Sequence, residues 1–288
     1  MRVNERFGCN IWFKCENMQK VGAFKFRGAV NAVRLLSDIE RCKGVVTHSS
    51  GNHAQALSLA AKKFNVPAYI VMPNNAPQVK IDAVREYGGI ITFCEPILEQ
   101  RELSAEILIS RYGASFIHPY DNENIIAGQG TCAKEFIEQL DVEPDIIMAP
   151  VGGGGLLSGT AISVKALTKN TKVFGAEPQM ADDAHKSFNA GKIIPQTNPQ
   201  TIADGLLTSL GEITFDVIKH YVDDVLLCTE RSIILAMKMI FQNLKIVVEP
   251  SAAVGLACVI DNPERFSNQK VGIILSGGNL DVSSFDWK

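Results

Sequence analysis

The sequence has no apolar run long enough to span a bilayer, which argues against a helical membrane span and a membrane partner. Its opening, Met1-Arg2-Val3-Asn4-Glu5-Arg6, lacks the apolar stretch of a secretory signal, so no leader is expected. It has no Cys-x-x-Cys pair. Its seven cysteines are an odd number, scattered through apolar segments as at Cys94, Cys228 and Cys258. That pattern fits neither a disulfide framework nor a zinc site, and predicts free buried thiols in a reducing cytoplasm. There is no surplus of positive charge: the net charge is -3, which leaves no broad footprint for nucleic acid. Internal repeats, low-complexity tracts and a linker rich in Pro, Gly or Ser are also missing.

What is present is a chain of 288 residues, 46% hydrophobic and 20% charged, the profile of a soluble globular protein with one large or two moderate domains. Ile11 to Phe13 reads as a strand and Phe24 to Leu36 as a helix. Short apolar strands then alternate with helices. The strands are expected at Val45–Thr47, Ala68–Val71, Ile90–Phe93, Ser115–Ile117, Ile146–Val151, Val173–Ala176 and Val271–Leu275. The helices fall near Ala54–Phe64, Gln78–Tyr87, Glu102–Tyr112, Gly128–Leu140, up to Leu167, Phe215–Tyr221, Arg231–Asn243 and Ser251–Val259. This order predicts βαβ units, largely parallel sheets and right-handed crossovers. With no linker to divide it, the chain is expected to carry a smaller domain, 45–122, inserted into a larger one made of 1–44 and 123–288.

Five stretches carry candidate chemistry. Gly22-Ala23-Phe24-Lys25-Phe26-Arg27-Gly28-Ala29 sets one lysine among phenylalanines and small residues. Partial desolvation there would free the amine as a nucleophile. The same octapeptide also reads as the start of an amphipathic helix with a snorkelling lysine. Gly152, Gly153, Gly154 and Gly155 follow an apolar strand and open a helix, so converging N–H groups and the helix end suit a phosphate. The alternative is a tight turn with close helix–strand packing. The stretch has neither the Lys-Ser/Thr of a P-loop nor a clean dinucleotide fingerprint.

Ser49-Ser50-Gly51-Asn52-His53 likewise joins a strand to a helix and suits a carboxylate, or serves only as a helix cap. His53 is expected to pack or cap rather than to ligate a metal. Ser276-Gly277-Gly278-Asn279 closes the last strand. Three of these polar motifs lie at carboxyl ends of strands, where open α/β sheets bind ligands. Glu177-Pro178, followed by Asp182 and Asp183, would suit a hard cation or a solvated acidic turn.

Taken together, G-A-F-K-F-R-G-A, S-S-G-N-H, the four glycines and S-G-G-N resemble the pyridoxal-phosphate-dependent serine/threonine dehydratases. Within them the chain is most similar to the serine racemase and threo-3-hydroxyaspartate ammonia-lyase branch, with the motifs in family order from about Ile11 to near the end. The resemblance implies the tryptophan-synthase-β-like α/β fold (fold type II), with two parallel-sheet domains. It implies that Lys25 holds pyridoxal 5'-phosphate as a Schiff base and that Gly152 to Gly155 bind its phosphate. Asn52 would face the ring hydroxyl, Ser276 the pyridine nitrogen, and Ser50 the cofactor face opposite Lys25. Ser49, Ser50, Asn52 and His53 would hold the substrate carboxylate. Arg101 and Thr208 match substrate-contacting positions, Thr208 less closely. Glu177, Asp183 and the carbonyl of Ala181 match a divalent-cation site for Mg²⁺, or Ca²⁺ or Mn²⁺.

The resemblance also implies a homodimer and a small-molecule amino-acid substrate. Ala23 stands where many members have serine. Family members carry a further helix and a Thr-Pro segment ahead of Ile11, which the first residues here do not match. The expected activity is β-elimination from serine- or threonine-type hydroxy amino acids to a 2-oxo acid and ammonia, with Lys25 as base and Ser50 able to add serine racemisation. The alternatives are threo-3-hydroxyaspartate ammonia-lyase, a non-catalytic cofactor- or amino-acid-binding protein and, more distantly, a NAD-dependent Rossmann enzyme.

Overall fold

A computed structural model of the chain describes residues 2–281. The elements run α1 (Arg2–Phe7), β1 (Asn10–Cys15), α2 (Lys25–Arg34), α3 (Asp38–Lys43), β2 (Val45–His48) and α4 (Asn52–Lys63). Then come β3 (Ala68–Pro73), α5 (Gln78–Glu86), β4 (Ile90–Cys94), α6 (Leu98–Tyr112), β5 (Ser115–Phe116) and α7 (Glu123–Gln139). The second half holds β6 (Ile146–Pro150), α8 (Gly155–Leu167), β7 (Lys172–Pro178), α9 (Asp183–Ala190) and α10 (Glu212–Tyr221). It ends with β8 (Asp224–Cys228), α11 (Glu230–Leu244), α12 (Pro250–Asp261) and β9 (Lys270–Leu275).

The chain divides into two compact units, one made of the residues up to Phe24 and from Gln129 on, the other of Lys25–Gly128. The first holds a five-stranded sheet in the order β1-β9-β6-β7-β8, parallel throughout. The second holds a four-stranded sheet, β4-β3-β2-β5, also parallel. The expected α/β class with two parallel sheets is what the chain forms. Four elements were not expected: α1, α3, α9 and β8.

The apolar strands are continuous because both of their faces are covered. Ile146 and Met148 of β6 point into one cluster, with Phe174, Ile273 and the buried faces of α11 and α12. Ile147 and Ala149 alternate into the other, with Val173, Val225 and residues of α7 and α8. A period of two read on both faces gives an unbroken apolar run, the mark of a parallel sheet between helices. Helix α12 is apolar all round, since Ser251 to Val259 are all buried. Among the described residues no helix is long and apolar enough to cross a membrane.

Ile147 is fully buried in that second cluster. Ile147→Ala is expected to cost about 2–5 kcal/mol through lost burial and a residual cavity. The urea unfolding midpoint checks this, and a loss under about 1 kcal/mol would show that the layer is looser than described.

Candidate active site

In the unit around the five-stranded sheet, the polar loops leave the carboxyl ends of neighbouring strands. After β6 the chain crosses to β7 and β8 on one side; β9 returns on the other side of β6, next to β1. Loops that depart in opposite directions from adjacent strands open a crevice at that switch point. Gly152 to Gly155 leave β6, and Ser276 to Asn279 leave β9.

The glycine loop is shaped so that side chains are excluded. Gly154 has φ +93°, and a Cβ there would lie 2.8 Å from Cβ of Thr214. A Cβ on Gly152 would lie 3.0 Å from the Gly205 carbonyl oxygen. Thr214 Oγ1 donates to the Gly153 carbonyl at 2.8 Å, and Ser158 N–H takes the Gly154 carbonyl at 2.8 Å. The carbonyls are thereby tied back, while Gly155 begins α8, whose first N–H groups have no partner within the helix. A cup of that kind, with its dipole end positive, fits a phosphate. Ser276 is 3% exposed, and among the described residues no hydrogen bond reaches its hydroxyl. It fits a single ring nitrogen.

The lead-in to Lys25 is fastened to this same strand end. Phe24 N–H donates to the Ser276 carbonyl at 3.0 Å, Ala23 forms an antiparallel bridge with Gly277, and Gly278 N–H donates to the Gly22 carbonyl at 2.9 Å. Asn279 Nδ2 donates to the Val21 carbonyl at 2.8 Å. Val21 is held at φ +57°, costly for a β-branched residue. Lys25 then follows Phe24 directly and is the first residue of α2. The helix-start reading of the octapeptide is what the chain forms, with Lys25 at its first position.

In the unit Lys25–Gly128, Lys25 Nζ donates to the Pro119 carbonyl at 2.8 Å. Ser49 to His53 leave β2, the neighbour of β5. Ser49 Oγ accepts the Gly51 N–H at 3.3 Å, and Asn52 opens α4. Ser50 is half-buried, and no hydrogen bond is made by its side chain among the described residues. His53 is 2% exposed; its ring Nε2 lies 3.2 Å from the Ile117 carbonyl, and Nδ1 is buried with no partner. Burial, with the Lys25 charge next, holds His53 well below the usual imidazole range, so it is neutral. Arg101 lies in the first turn of α6, half-buried, with Nε buried and unpartnered.

Back in the first unit, Glu177 stands at the end of β7, 1% exposed. Its carboxyl accepts the N–H groups of Ala184 and His185 at 2.9 and 2.8 Å, so it caps α9 from outside the helix. Burial above all pushes it up to about 9, against those two N–H groups, and the neighbouring Asp183 and Asp182 push in the same direction. Burial likewise pushes Asp183 up to about 6. Asp183 accepts from Gln196 Nε2 and Leu210 N–H. Among the described residues no basic side chain pairs with either carboxyl, and no cluster of three His, Cys, Asp or Glu side chains occurs. Two buried carboxyls held up in this way are the oxygen donors a hard cation would let ionise, provided that carbonyls and water complete its shell. Ala181 is buried next to them. Thr208 is exposed in the loop before α10.

Sequence reasoning missed three supports. Thr214 holds the glycine loop from α10. Glu249 accepts Asn279 N–H at 3.2 Å and fills the space a Cβ on Gly277 would take. The third is the bend Ile117-His118-Pro119-Tyr120, which receives both His53 and Lys25. It follows a strand, as the recognised loops do, but it has no glycine to announce it.

A profile of the family described as "Pyridoxal-phosphate dependent enzyme" matches residues 1–277. The chain is 49% identical to the beta-hydroxyaspartate dehydratase of Paracoccus denitrificans, over 99% of this chain and 90% of that one. It is 47% identical to the L-threo-3-hydroxyaspartate ammonia-lyase of Saccharomyces cerevisiae, over 98% and 87%. The crystal structure of serine racemase from Dictyostelium discoideum superposes with a TM-score of 0.93 at 49% identity, covering 98% of this chain and 91% of that one.

Gly154→Ala tests the loop. The positive φ and the contact with Thr214 are expected to cost about 1–3 kcal/mol in urea unfolding, together with loss of the visible absorbance of bound cofactor. Unchanged stability and colour would contradict the geometry.

Proposed function

Because this chain belongs to the pyridoxal-phosphate dependent enzyme family, we propose that it removes water from a hydroxy amino acid, the released enamine then taking up a water to give a 2-oxo acid and ammonia, with racemisation as a second outcome. The observation that carries the reading is the backbone bond from Phe24 N–H to the Ser276 carbonyl, which ties the residue before Lys25 to the end of β9. Gly152 to Gly155 would take the cofactor phosphate, Ser276 its ring nitrogen, Asn52 its ring hydroxyl and Lys25 its aldehyde carbon. Bound there, pyridoxal phosphate would supply an imine linkage and a ring that spreads the electron pair left at the substrate α-carbon.

The chain's own residues do the rest. A neutral hydroxyl at Ser276 leaves the ring nitrogen unprotonated more readily than a carboxylate would. That weakens the electron sink and favours early departure of the β-hydroxyl. Lys25 takes the α-proton. The hydroxyl of Ser50 can return a proton from the opposite face, which inverts the α-carbon instead of eliminating water. The N–H groups opening α4, with Ser49, Ser50, Asn52 and His53, hold the substrate carboxylate. Buried, neutral His53 serves through its place in that loop.

One observation favours a dicarboxylate substrate, threo-3-hydroxyaspartate, over serine or threonine. Arg101 has a buried, unpartnered Nε, and a guanidinium fork suits a second carboxylate. Thr208 is a weaker contact of the same kind. Glu177, Asp183 and the Ala181 carbonyl would hold Mg²⁺, or Ca²⁺ or Mn²⁺, beside α9. A homodimer belongs to this reading. Free thiols throughout fit a cytoplasmic setting.

One panel tests these assignments. Wild-type protein is expected to absorb in the visible, to release ammonia from threo-3-hydroxyaspartate faster than from serine or threonine, to gain thermal stability with Mg²⁺, and to sediment as a dimer. Lys25→Ala is expected to lose colour and turnover. Colour and ammonia release surviving in Lys25→Ala would overturn the central assignment. Cofactor colour without turnover on any of the three substrates would favour a binding protein.

A further inference from the structure

Pro119 offers its carbonyl to Lys25 from a bend that no sheet or helix ladder holds. Strand β5 ends at Phe116, and α7 begins at Glu123. Between them, Ile117 N–H still donates to the Val46 carbonyl, and Asn122 Oδ1 caps α7 by accepting Ile125 N–H at 3.0 Å. In the middle, beside a backbone bond from Asn122 N–H to the Tyr120 carbonyl at 3.1 Å, one side chain accepts two N–H groups. His118 Nδ1 accepts the N–H of Tyr120 at 3.3 Å and that of Asp121 at 2.8 Å.

Both donors are backbone N–H groups, so Nδ1 carries the lone pair and the ring proton sits on Nε2. The ring is fixed from both sides, edge-on to Tyr120 at 4.6 Å and to Phe116 at 5.9 Å, with Phe116 stacked on His48. The charged and titratable groups that face it are Asp121 in the bend itself, His48 at the end of β2 and Lys25 at the start of α2. Burial first, then His48 and Lys25, hold His118 down at about 4 against the pull of Asp121, which keeps Nδ1 free to accept.

We propose that His118 is a positioning residue for Lys25: through Tyr120 and Asp121 its Nδ1 holds the bend that presents the Pro119 carbonyl to the Lys25 amine. A carbonyl at 2.8 Å stabilises the charged form of that amine. Lys25 can then hold a proton at Nζ between removing it and passing it on. This rests on the reading of Lys25 as the base. Nothing in it requires His118 to touch substrate or cofactor.

The test replaces the acceptor and then restores it. Leucine fills similar space without a lone pair. Asparagine is the residue that natively accepts N–H groups two and three positions ahead. Colour in the wild type and its loss in Lys25→Ala first establish the reading; if Lys25→Ala keeps its colour, reading and proposal fall together. With the reading in place, His118→Leu is expected to keep the visible absorbance of bound cofactor and lose about ten- to a hundredfold in kcat, with KM for the best substrate changed far less. His118→Asn is expected to recover most of kcat, to within about threefold of wild type. Equal losses in both variants, or a change confined to KM, would overturn the proposal and leave Lys25's role untouched. Should His118→Leu fail to fold, His118→Asn decides alone: colour retained with kcat lost by a hundredfold or more would overturn it.

Discussion

The structure depends on a short pairing between residues that are far apart in the chain. Val21 to Phe24 lies along Ser276 to Asn279, joined by the Ala23–Gly277 bridge, two backbone hydrogen bonds and the Asn279 side chain. The cost is visible in Val21, whose left-handed φ is disfavoured by roughly 1–2 kcal/mol for an L-residue. A conformation of that kind persists only where its surroundings over-determine it. Here they do: a Cβ on Gly22 would collide with Asn279, and one on Gly277 with Glu249. The segment has one tolerated path, and it delivers the chain to Lys25.

Within each unit, charge is arranged so that few ionised groups are buried without help. The histidines near Lys25 are neutral, each with its pKa depressed chiefly by burial. The hydroxyl at the end of β9 is uncharged. Where two carboxyls are buried together, at Glu177 and Asp183, both are pushed upward; the strongest compensation is from the first N–H groups of α9 for Glu177 and from the Leu210 N–H, in the loop before α10, for Asp183. The proposed chemistry follows from this economy. In that proposal Lys25 is the group whose charge changes during turnover, and its amine donates to the Pro119 carbonyl.

The architecture was legible because parallel strands covered on both faces must be continuously apolar, and helices between them must be periodic. Strand β8 escaped because Val225 to Cys228 is short and runs straight into α11 without a turn residue. Helix α9 escaped because its N-terminal Asp183 reads as an acidic turn; the carboxylate that caps it, Glu177, sits six residues earlier on another element. In the site, loops that announce themselves with glycine were visible: Gly152 to Gly155, and Ser276 to Asn279. What was not visible is support supplied from a distance. Asn279 and Val21 are 258 positions apart, and Thr214 reaches the glycine loop from a different helix. The bend at His118 uses an imidazole where asparagine or glycine would have signalled a turn. Local pattern marks where a loop is; it does not mark what holds it.

The central claim is that Lys25 carries the cofactor. Borohydride reduction of the purified holoprotein, followed by proteolysis and mass spectrometry, tests it most directly, because reduction freezes the cofactor onto whichever amine holds it. The expected result is a phosphopyridoxyl group on the peptide containing Phe24-Lys25-Phe26 and on no other. The same group on a different lysine, with Lys25 unmodified, would contradict the account.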